Sequence, residues 1–416
     1  MNFEMTGKLS ISKDTEKFHP YSETKYEKSG WVRRRLLFNV TCGDSRHMLT
    51  VDAGSFEDGH GDVYTYSKPE YDSSGKKIKD GEKIQIPFKD RLTSPKLEEV
   101  SDFRKFVFDL EKPGRRYKLK NALEKIKEGK DITDKDLAEV GLTSVDEIEK
   151  EYEKSKKRHH EFISEWDYAE FIKKVIDSGK YDDCNFHIRG RGDYSYSDDK
   201  ERFYENLIPN RIYLAADDDE PYSTATMSFV FGAESLDETS VEEDGKYYVN
   251  GFVFEYIQSR KKKLAVPTTI VIPVPDKEKD ESGYKKANGL KRKFIVEDED
   301  KYMEYGILVN MINGSQRVEL TEDMLSEEQR DDLECGIITM EEIQKAIGGS
   351  AYGDKVKEYQ LIKPSRNGIK EGVQDTVYAA EDMEVPALEI DENEDLFSEE
   401  SIDNDNDNDD DDDLFD

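Results

Sequence analysis

Short stretches of alternating side chains, separated by turn residues, constrain the fold of this chain more than any other feature. Arg46 to Ala53 alternates between two faces, and Lys83 to Phe88 does so again after the turn signal Asp80-Gly81. Runs of this kind, bounded by Gly and Asp, predict half-buried β-strands. Five similar runs follow between residues 185 and 274. The pattern predicts small barrels or sandwiches made of short strands.

The spacing of apolar residues becomes helical near residue 115. Ser144 is followed by Glu147 at the spacing of a capping box, which marks the start of a helix. Apolar residues then recur on one face through His159, Phe162 and Trp166. This spacing predicts one long helix that ends by Gly179.

The predicted fold class is α+β, with β-rich OB-like barrel domains, a helical insertion and a disordered acidic tail. Five segments follow from the pattern: a first β-rich OB-like region over 1–110, a helical insertion over 111–180, a second β-rich OB-like region over 181–275, a small mixed α/β segment over 276–375, and a disordered acidic tail over 376–416. The strands fit either one split barrel or two barrels.

The charge of the chain restricts its partners. Hydrophobic residues make up 35% and charged residues 38% of the chain, and the formal charge is −34. Residues 391–416 carry 15 acidic residues and no Lys or Arg, which leaves −19 on residues 1–390. Domains that bind nucleic acid are usually basic, so this charge argues against such a partner. Net charge does not exclude a groove that is locally positive.

Motifs for catalysis and for cofactors are not found in the sequence. It contains no glycine-rich phosphate loop, no zinc-binding pattern and no nucleophile elbow, so we expect no enzyme activity, no cofactor and no metal. The three cysteines lie far apart, which is typical of a reducing compartment. The first residues lack a basic region followed by an apolar run, and no stretch is long enough to span a bilayer. We therefore expect a cytoplasmic protein without membrane contact.

Arginines interleaved with aromatic residues mark two candidate binding strands. Alternation places Trp31, Arg33 and Arg35 on one face of the first, and His187, Arg189 and Arg191 on one face of the second. Rings that stack on bases beside cations that hold phosphates suit single-stranded nucleic acid. The predicted DNA-binding residues are Trp31, Arg33, Arg35, Arg189, Arg191, Tyr194, Tyr196, Phe203, Tyr204, Arg211 and Tyr213.

The same residues have simpler interpretations. The first strand fits a solvated outer face, and Tyr194 and Tyr196 fit core residues with hydrated hydroxyls. Further basic clusters include Arg115-Arg116 with Lys118 and Lys120. Each cluster could line a groove, but a solvated face is the simpler interpretation for any one of them.

The C-terminus combines an acidic run with an apolar tip. Asp409 to Asp413 is unbroken, and Leu414 and Phe415 follow it. We interpret this segment as a flexible tether whose apolar tip binds a small basic-rimmed pocket on another protein. The predicted partner-binding residues are Asp412, Asp413, Leu414 and Phe415. The alternative is a tail that only increases solubility.

The segment from Asp410 to Phe415 resembles the acidic, Phe-bearing C-terminus of bacterial and phage single-stranded DNA-binding proteins. In this sequence Asp416 follows the Phe, whereas the family commonly ends on Phe. The resemblance implies OB-fold domains that bind single-stranded DNA without sequence preference in replication, recombination and repair. It also implies that the tail recruits replication and repair proteins, in the host cytoplasm if the chain comes from a phage. The alternative function is an acidic interaction scaffold or a DNA mimic that binds a nucleic-acid enzyme.

Overall fold

The computed structural model describes residues 1–318, 325–326, 330, 332–333, 335–339, 351–364, 373–375 and 378–385. Strands dominate this part of the chain, with a smaller share of helices, so the α+β class predicted from the sequence is confirmed. The strands are β1 (Asn2–Ser10), β2 (Tyr21–Tyr26), β3 (Trp31–Cys42), β4 (Ser45–Phe56), β5 (Asp62–Tyr66), β6 (Glu70–Tyr71), β7 (Lys77–Lys79), β8 (Lys83–Pro87), β9 (Phe106–Asp109), β10 (His159–Phe162), β11 (Asn185–Ser197), β12 (Arg202–Leu214), β13 (Tyr222–Phe231), β14 (Leu236–Asp237), β15 (Lys246–Ile257), β16 (Lys262–Pro273), β17 (Met303–Val318), β18 (Ala351–Pro364) and β19 (Val373–Asp375).

The α-helices of the described residues are short and lie between the strands. They are α1 (Arg115–Lys127), α2 (Asp134–Glu139), α3 (Ile148–Lys156), α4 (Glu165–Asp177), α5 (Val241–Asp244) and α6 (Glu281–Lys291). None of the helices in these ranges combines the length and the apolar character that crossing a bilayer requires.

Five strands pair in a closed circuit, called here the N-terminal circuit. β1 pairs with β11 and β3, β3 pairs with β4, and β12 pairs with both β4 and β11. Four of these pairings are antiparallel, and the β4–β12 pairing, between Leu49 and Leu207, is parallel. The helix α4 precedes β11 in the chain and packs on β3 and β4. The circuit therefore encloses a core that α4 covers at one side.

A second set of five strands repeats this arrangement and is called here the C-terminal circuit. β13 pairs with β15 and β17, β15 pairs with β16, and β18 pairs with both β16 and β17. Again only one pairing of the circuit, β16–β18, is parallel. The helix α6 lies between the third and fourth strands of the circuit, as α4 does in the first. The two circuits have the same strand order.

The first strand joins the two circuits. Residues 2–6 of β1 pair with β11 along one edge and with β13 along the other. From Lys8 onward the second edge pairs with β3 instead. A Cβ on Gly7 would lie 2.3 Å from the carbonyl oxygen of Thr41, so β3 can approach β1 here only because this residue is a glycine.

One hydrophobic cluster fills both circuits. In β3 the alternating residues Leu36, Phe38 and Val40 are completely buried, as the period of two predicts. Phe186 and Phe229, from different circuits, belong to the same cluster. Each such large side chain stabilises the fold by roughly 1.5–3 kcal/mol. The two circuits therefore share one continuous hydrophobic core.

Two insertions extend the N-terminal circuit between β4 and α4. Residues 57–105 form the ribbon β5–β8, the small ribbon β6–β7 and connecting turns. Residues 110–158, called here the helical module, contain α1, α2 and α3 and interrupt the β9–β10 hairpin. The module has its own small core, which includes Leu119, Leu137 and Ile148. β9 also pairs with β12, which attaches the module to the circuit.

The long helix predicted from Ser144 to Gly179 is wrong. α3 ends at Lys156, residues 159–162 form β10, and a new helix begins after Ser164. The side chain of Ser164 accepts a hydrogen bond from the backbone N–H of Trp166 and so caps this helix. Residues 159–162 become a strand because β9 supplies their hydrogen-bond partners.

The pairing groups the chain differently from the predicted segments. The N-terminal circuit takes three strands from residues 1–110 and two, β11 and β12, from residues 181–275. The C-terminal circuit takes β13, β15 and β16 from that second segment together with β17 and β18. Strand pairing, rather than sequence continuity, therefore defines the two units.

Candidate nucleic-acid interface

A cleft of about 720 Å³ lies between the helical module and the outer face of the N-terminal circuit. One side of the cleft comes from β1, β11, β12 and the start of β13, and the other comes from α1, α3 and the loop before α1. Its aromatic lining is Tyr117, Tyr152, Tyr213 and Tyr222. Its cationic lining is Lys112, Arg116, Lys120 and Arg189, and its acidic lining is Asp109, Glu111 and Asp219.

Strand alternation positions the residues on the sheet side. Ile188 and Ile212 are completely buried, so their neighbours His187, Arg189 and Tyr213 face outward. In the register of β11 and β12, His187 lies opposite Tyr213. The outer face of these two strands therefore presents the ring of Tyr213 close to the cation of Arg189.

His187 organises the centre of this side. Its Nε2 lies 2.7 Å from a carboxylate oxygen of Glu4, and Nδ1 lies 3.2 Å from both the Tyr222 hydroxyl and the Thr6 hydroxyl. Burial, together with the nearby Arg189, lowers the pKa of His187 although Glu4 opposes the shift. The Nε of Arg189 also donates to Nε2 of His187, at 3.2 Å. Arg189 also donates to Glu4, at 3.0 Å, so Tyr222 and Arg189 are both held in place.

The helix α1 provides the opposite side of the cleft. Arg116 and Lys120 are four residues apart and therefore lie on one face of the helix, next to Tyr117. The buried Leu119 points into the module core, which fixes the rotation of the helix. Tyr117 is 69% exposed, so its ring is accessible to a ligand.

A charged network attaches this helix to the sheet. The guanidinium of Arg116 donates to both carboxylate oxygens of Asp109, at 2.7 and 2.9 Å, and His159 lies 3.0 Å from the same carboxylate. Burial alone would raise the pKa of Asp109, but hydrogen bonds from His159 and Arg116 bring it to about 2. Hydrogen bonds to Asp109 and Glu161 raise the pKa of His159 to about 9. The imidazole is therefore charged at neutral pH and links β9 to β10.

The lysines of the cleft have only exposed counter-ions. Lys112 lies 2.6 Å from Asp217 and Lys120 lies 3.8 Å from Glu124, and both pairs are largely exposed to solvent. Exposed ion pairs contribute about 0–1 kcal/mol each, so a phosphate can replace the carboxylate at small cost. These lysines are thus available to a polyanion.

Two of the residues predicted from the sequence line this cleft, and a third contacts one of them. Arg189 and Tyr213 line it, and Arg211 donates a hydrogen bond to the Tyr213 hydroxyl at 3.1 Å. A second nitrogen of Arg211 donates to the carbonyl oxygen of Asp102 at 2.8 Å. Arg211 therefore extends the surface from the cleft toward the first insertion.

The predicted group on β3 lies elsewhere. Trp31 packs over Gly54 and makes an edge contact with Phe56, with 5.0 Å between the ring centroids. Arg33 donates to Asp52 at 3.0 Å, and this hydrogen bond raises the pKa of Arg33 although burial opposes it. None of these residues lines the cleft.

Arg35 and Arg191 complete the predicted arginines, and neither lines the cleft. Burial lowers the pKa of Arg35, because it disfavours the charged guanidinium. The half-buried carboxyl of Glu165 interacts electrostatically with Arg191 and with Asp52, and its pKa is raised mainly by burial. Arg191 is thereby associated with the charges of the β3–β4 face.

Four predicted aromatic residues pack within the molecule. Tyr194 belongs to a buried cluster with Ile257 and Leu264 of the C-terminal circuit, and Tyr196 and Phe203 pack against that cluster with 4.8 Å between their centroids. The hydroxyl of Tyr204 is also buried. The end of the β11–β12 hairpin thus lies on the second circuit, which leaves these rings little surface for a base. Tyr194 is a core residue, as the alternative interpretation has it, but its hydroxyl donates to Glu205, and Tyr196 is only partly buried.

Sequence reasoning missed three of the four tyrosines that line the cleft, two on the helical side and one on the sheet side. Tyr117, Tyr152 and Tyr222 were not candidates, because single tyrosines carry no signal in a sequence with 23 of them. The basic cluster around Arg116 and Lys120 was the available signal. The predicted partner-binding residues, Asp412, Asp413, Leu414 and Phe415, lie outside the described residues.

Comparison with known proteins gives little further information. No family model matches the chain, and no curated protein matches it. Among solved structures, a deletion mutant of the single-stranded DNA-binding protein from Thermus aquaticus aligns with 7% identity and a TM-score of 0.24, over 75% of this chain and 86% of that one. A TM-score of this size is too low to carry an argument about fold or function.

Proposed function

We propose that the chain binds single-stranded DNA without sequence preference, in the cleft between the helical module and the N-terminal circuit, and that it is not an enzyme. The observation that carries this proposal is the convergence of four tyrosines and four cationic side chains on one cleft. Rings stack on bases of any identity, and cations neutralise phosphates, so this combination favours single strands over duplexes.

The topology supports the proposal. Each circuit has five strands, one parallel pairing and a helix between its third and fourth strands, which is the arrangement of an OB-type barrel. We infer that the chain contains two such barrels. OB barrels bind oligonucleotides and oligosaccharides on the face of their second and third strands and on flanking loops. The cleft lies instead on the first, fourth and fifth strands of the N-terminal circuit, so the topology supports an oligonucleotide as the ligand, and the side chains of the cleft support its position.

The cationic side chains of the cleft make the proposed binding dependent on salt. With a formal charge of −34, the whole molecule repels a polyanion at long range, so binding depends on the contacts made within the cleft. Binding would release counterions from the strand, so its affinity falls as salt rises.

For the tail, we propose recruitment of replication and repair proteins through Asp412, Asp413, Leu414 and Phe415. An acidic run followed by two apolar residues supports this role, because charge steers the encounter and a ring anchors it. Capture of partners from a host lysate by the full chain, and its loss after Leu414→Ala and Phe415→Ala, tests it. Equal capture by both forms would refute recruitment through the tip.

The DNA-binding proposal is tested with labelled oligo-dT and a duplex of equal length, measured by fluorescence anisotropy at two salt concentrations. We expect tighter binding of oligo-dT than of duplex and weaker binding at the higher salt. No binding of oligo-dT at low salt would refute the proposal. In that case the body charge of −19 favours the alternative, an acidic scaffold or DNA mimic, which would bind basic proteins and no DNA.

A further inference from the structure

We propose a second single-strand-binding surface on the first insertion, continuous with the cleft, so that one DNA strand runs from the cleft onto the ribbon β5–β8. This inference rests on the proposed function. The ribbon surface, as we call it, consists of Tyr64, Tyr66, Lys83, Phe103 and Arg104.

The ribbon separates apolar and aromatic residues onto two faces. Ile84 and Ile86 of β8 are buried in a small core with Val100. Tyr64 and Tyr66 of β5 point to the other face and are 56% and 43% exposed. Two large rings on the solvent face of a two-stranded ribbon contribute nothing to its core, which indicates a role in binding.

Cations accompany each of these rings. The ammonium nitrogen of Lys83 lies 4.1 Å from the ring centroid of Tyr64, and the guanidinium of Arg104 lies 5.0 Å from that of Tyr66. Phe103, beside Arg104, is 83% exposed. Cations at the rings keep the tyrosines in place and offer charges to phosphates that flank a stacked base.

Hydrogen bonds connect the ribbon surface to the cleft. Tyr213 lines the cleft and accepts a hydrogen bond from Arg211, which in turn donates to the backbone oxygen of Asp102. Asp102 directly precedes Phe103 and Arg104 in the chain. A strand that leaves the cleft past Tyr213 therefore meets Arg211 and then the ribbon surface.

The chemistry favours nucleic acid over a protein partner. Protein docking sites usually have a contiguous apolar centre, whereas here separate rings alternate with cations. Tyr64 and Tyr66 lie two residues apart on one strand, about 6.6 Å, so two neighbouring bases can each contact one ring. A strand that covers both surfaces would be longer than the cleft alone accommodates.

The test compares oligonucleotide lengths. The full chain with Tyr64→Ala, Tyr66→Ala and Phe103→Ala is titrated with oligo-dT of about 8 and about 30 nucleotides, because OB-fold site sizes span about 4–16 nucleotides. We expect affinity for the short oligonucleotide to stay within about 2-fold and affinity for the long one to fall at least about 10-fold. The number of nucleotides covered per protein should also fall.

A matched control is the neighbouring ribbon β6–β7. Tyr71→Ala with Ile78→Ala removes exposed apolar side chains that lie off the proposed path, and should leave both affinities unchanged. If the wild-type chain binds no oligo-dT, the proposed function itself fails. If it binds, but the triple variant keeps its affinity for the long oligonucleotide or loses affinity equally at both lengths, the second surface is refuted. Thermal unfolding confirms that each variant is folded.

Discussion

Tyr117 projects from α1 into the cleft and has no part in the core of the helical module. Removing its ring should therefore change binding and leave folding intact. We expect Tyr117→Ala to weaken oligo-dT binding by about 1–3 kcal/mol, roughly 5-fold to 150-fold, and Tyr117→Phe to bind almost as the wild type. Titration of both variants, with thermal unfolding as the folding check, measures this. Equal weakening in both variants would contradict stacking by the ring.

Substitution of Lys112 and of Lys120 tests whether these two lysines contact phosphates of the bound strand. Each is proposed to contact one phosphate, so Lys112→Gln and Lys120→Gln should each reduce the slope of log K against log salt by about 0.7. The exposed Lys13→Gln, which lies outside the cleft lining, should leave the slope unchanged. The measurement is a series of oligo-dT titrations at four salt concentrations. Unchanged slopes in both cleft variants would place the phosphates elsewhere.

At the scale of elements, the helical module depends on the β9–β10 hairpin and its charged network. His159 has its pKa raised to about 9 by Asp109 and Glu161. A pKa raised above its ordinary value of 6.5 gives stability that is fully present below pH 6.5 and is lost as pH rises through 9. We expect the wild-type hairpin to lose hydrogen-exchange protection between pH 6.5 and 9.5.

The variant His159→Gln should show lower protection at pH 6 and a much smaller change toward pH 9.5. The exposed His19→Gln, far from this hairpin in the chain, is the matched control and should follow the wild type. Exchange of the β9 and β10 amides, corrected for the intrinsic pH dependence, measures the difference. Identical profiles for His159→Gln and the wild type would show that the network adds no stability.

At the scale of elements, the sequence predicted local structure better than it predicted which strands pair with each other. Thr133 caps α2 through hydrogen bonds with Asp136, and such a cap depends only on residues close in the sequence. The run through His159 and Phe162 has helical spacing but forms β10. Its partner β9 lies far earlier in the chain, and the spacing of apolar residues within one segment does not show which distant segment pairs with it.

At the scale of the whole molecule, the β11–β12 hairpin holds the two circuits together. Glu205 is largely buried and accepts hydrogen bonds from the hydroxyls of Tyr194, at 3.0 Å, and of Tyr359 in the second circuit. Lys357 lies 3.6 Å from the same carboxylate. Glu205→Ala leaves buried hydroxyls without their acceptor and should lower the free energy of unfolding by about 1–3 kcal/mol.

Denaturant unfolding measures this change, with the exposed Glu220→Ala as the control that removes the same charge. Because Glu205 lies outside the cleft lining, oligo-dT affinity of the folded variant should stay close to that of the wild type. A loss of stability no greater than in the control would contradict a structural role for the carboxylate.

The sequence by itself determined the α+β class, many of the strands and the outward faces of β11 and β12, because alternation and capping are local properties of the chain. Alternation alone places Arg189 and Tyr213 on outward faces, where both line the cleft. The tertiary structure alone decided that Tyr117 and Lys120 face them across a cleft, and that Tyr194 packs inside. Those outcomes depend on pairing between strands that are distant in the sequence. No single segment of the sequence shows which distant segment it will pair with.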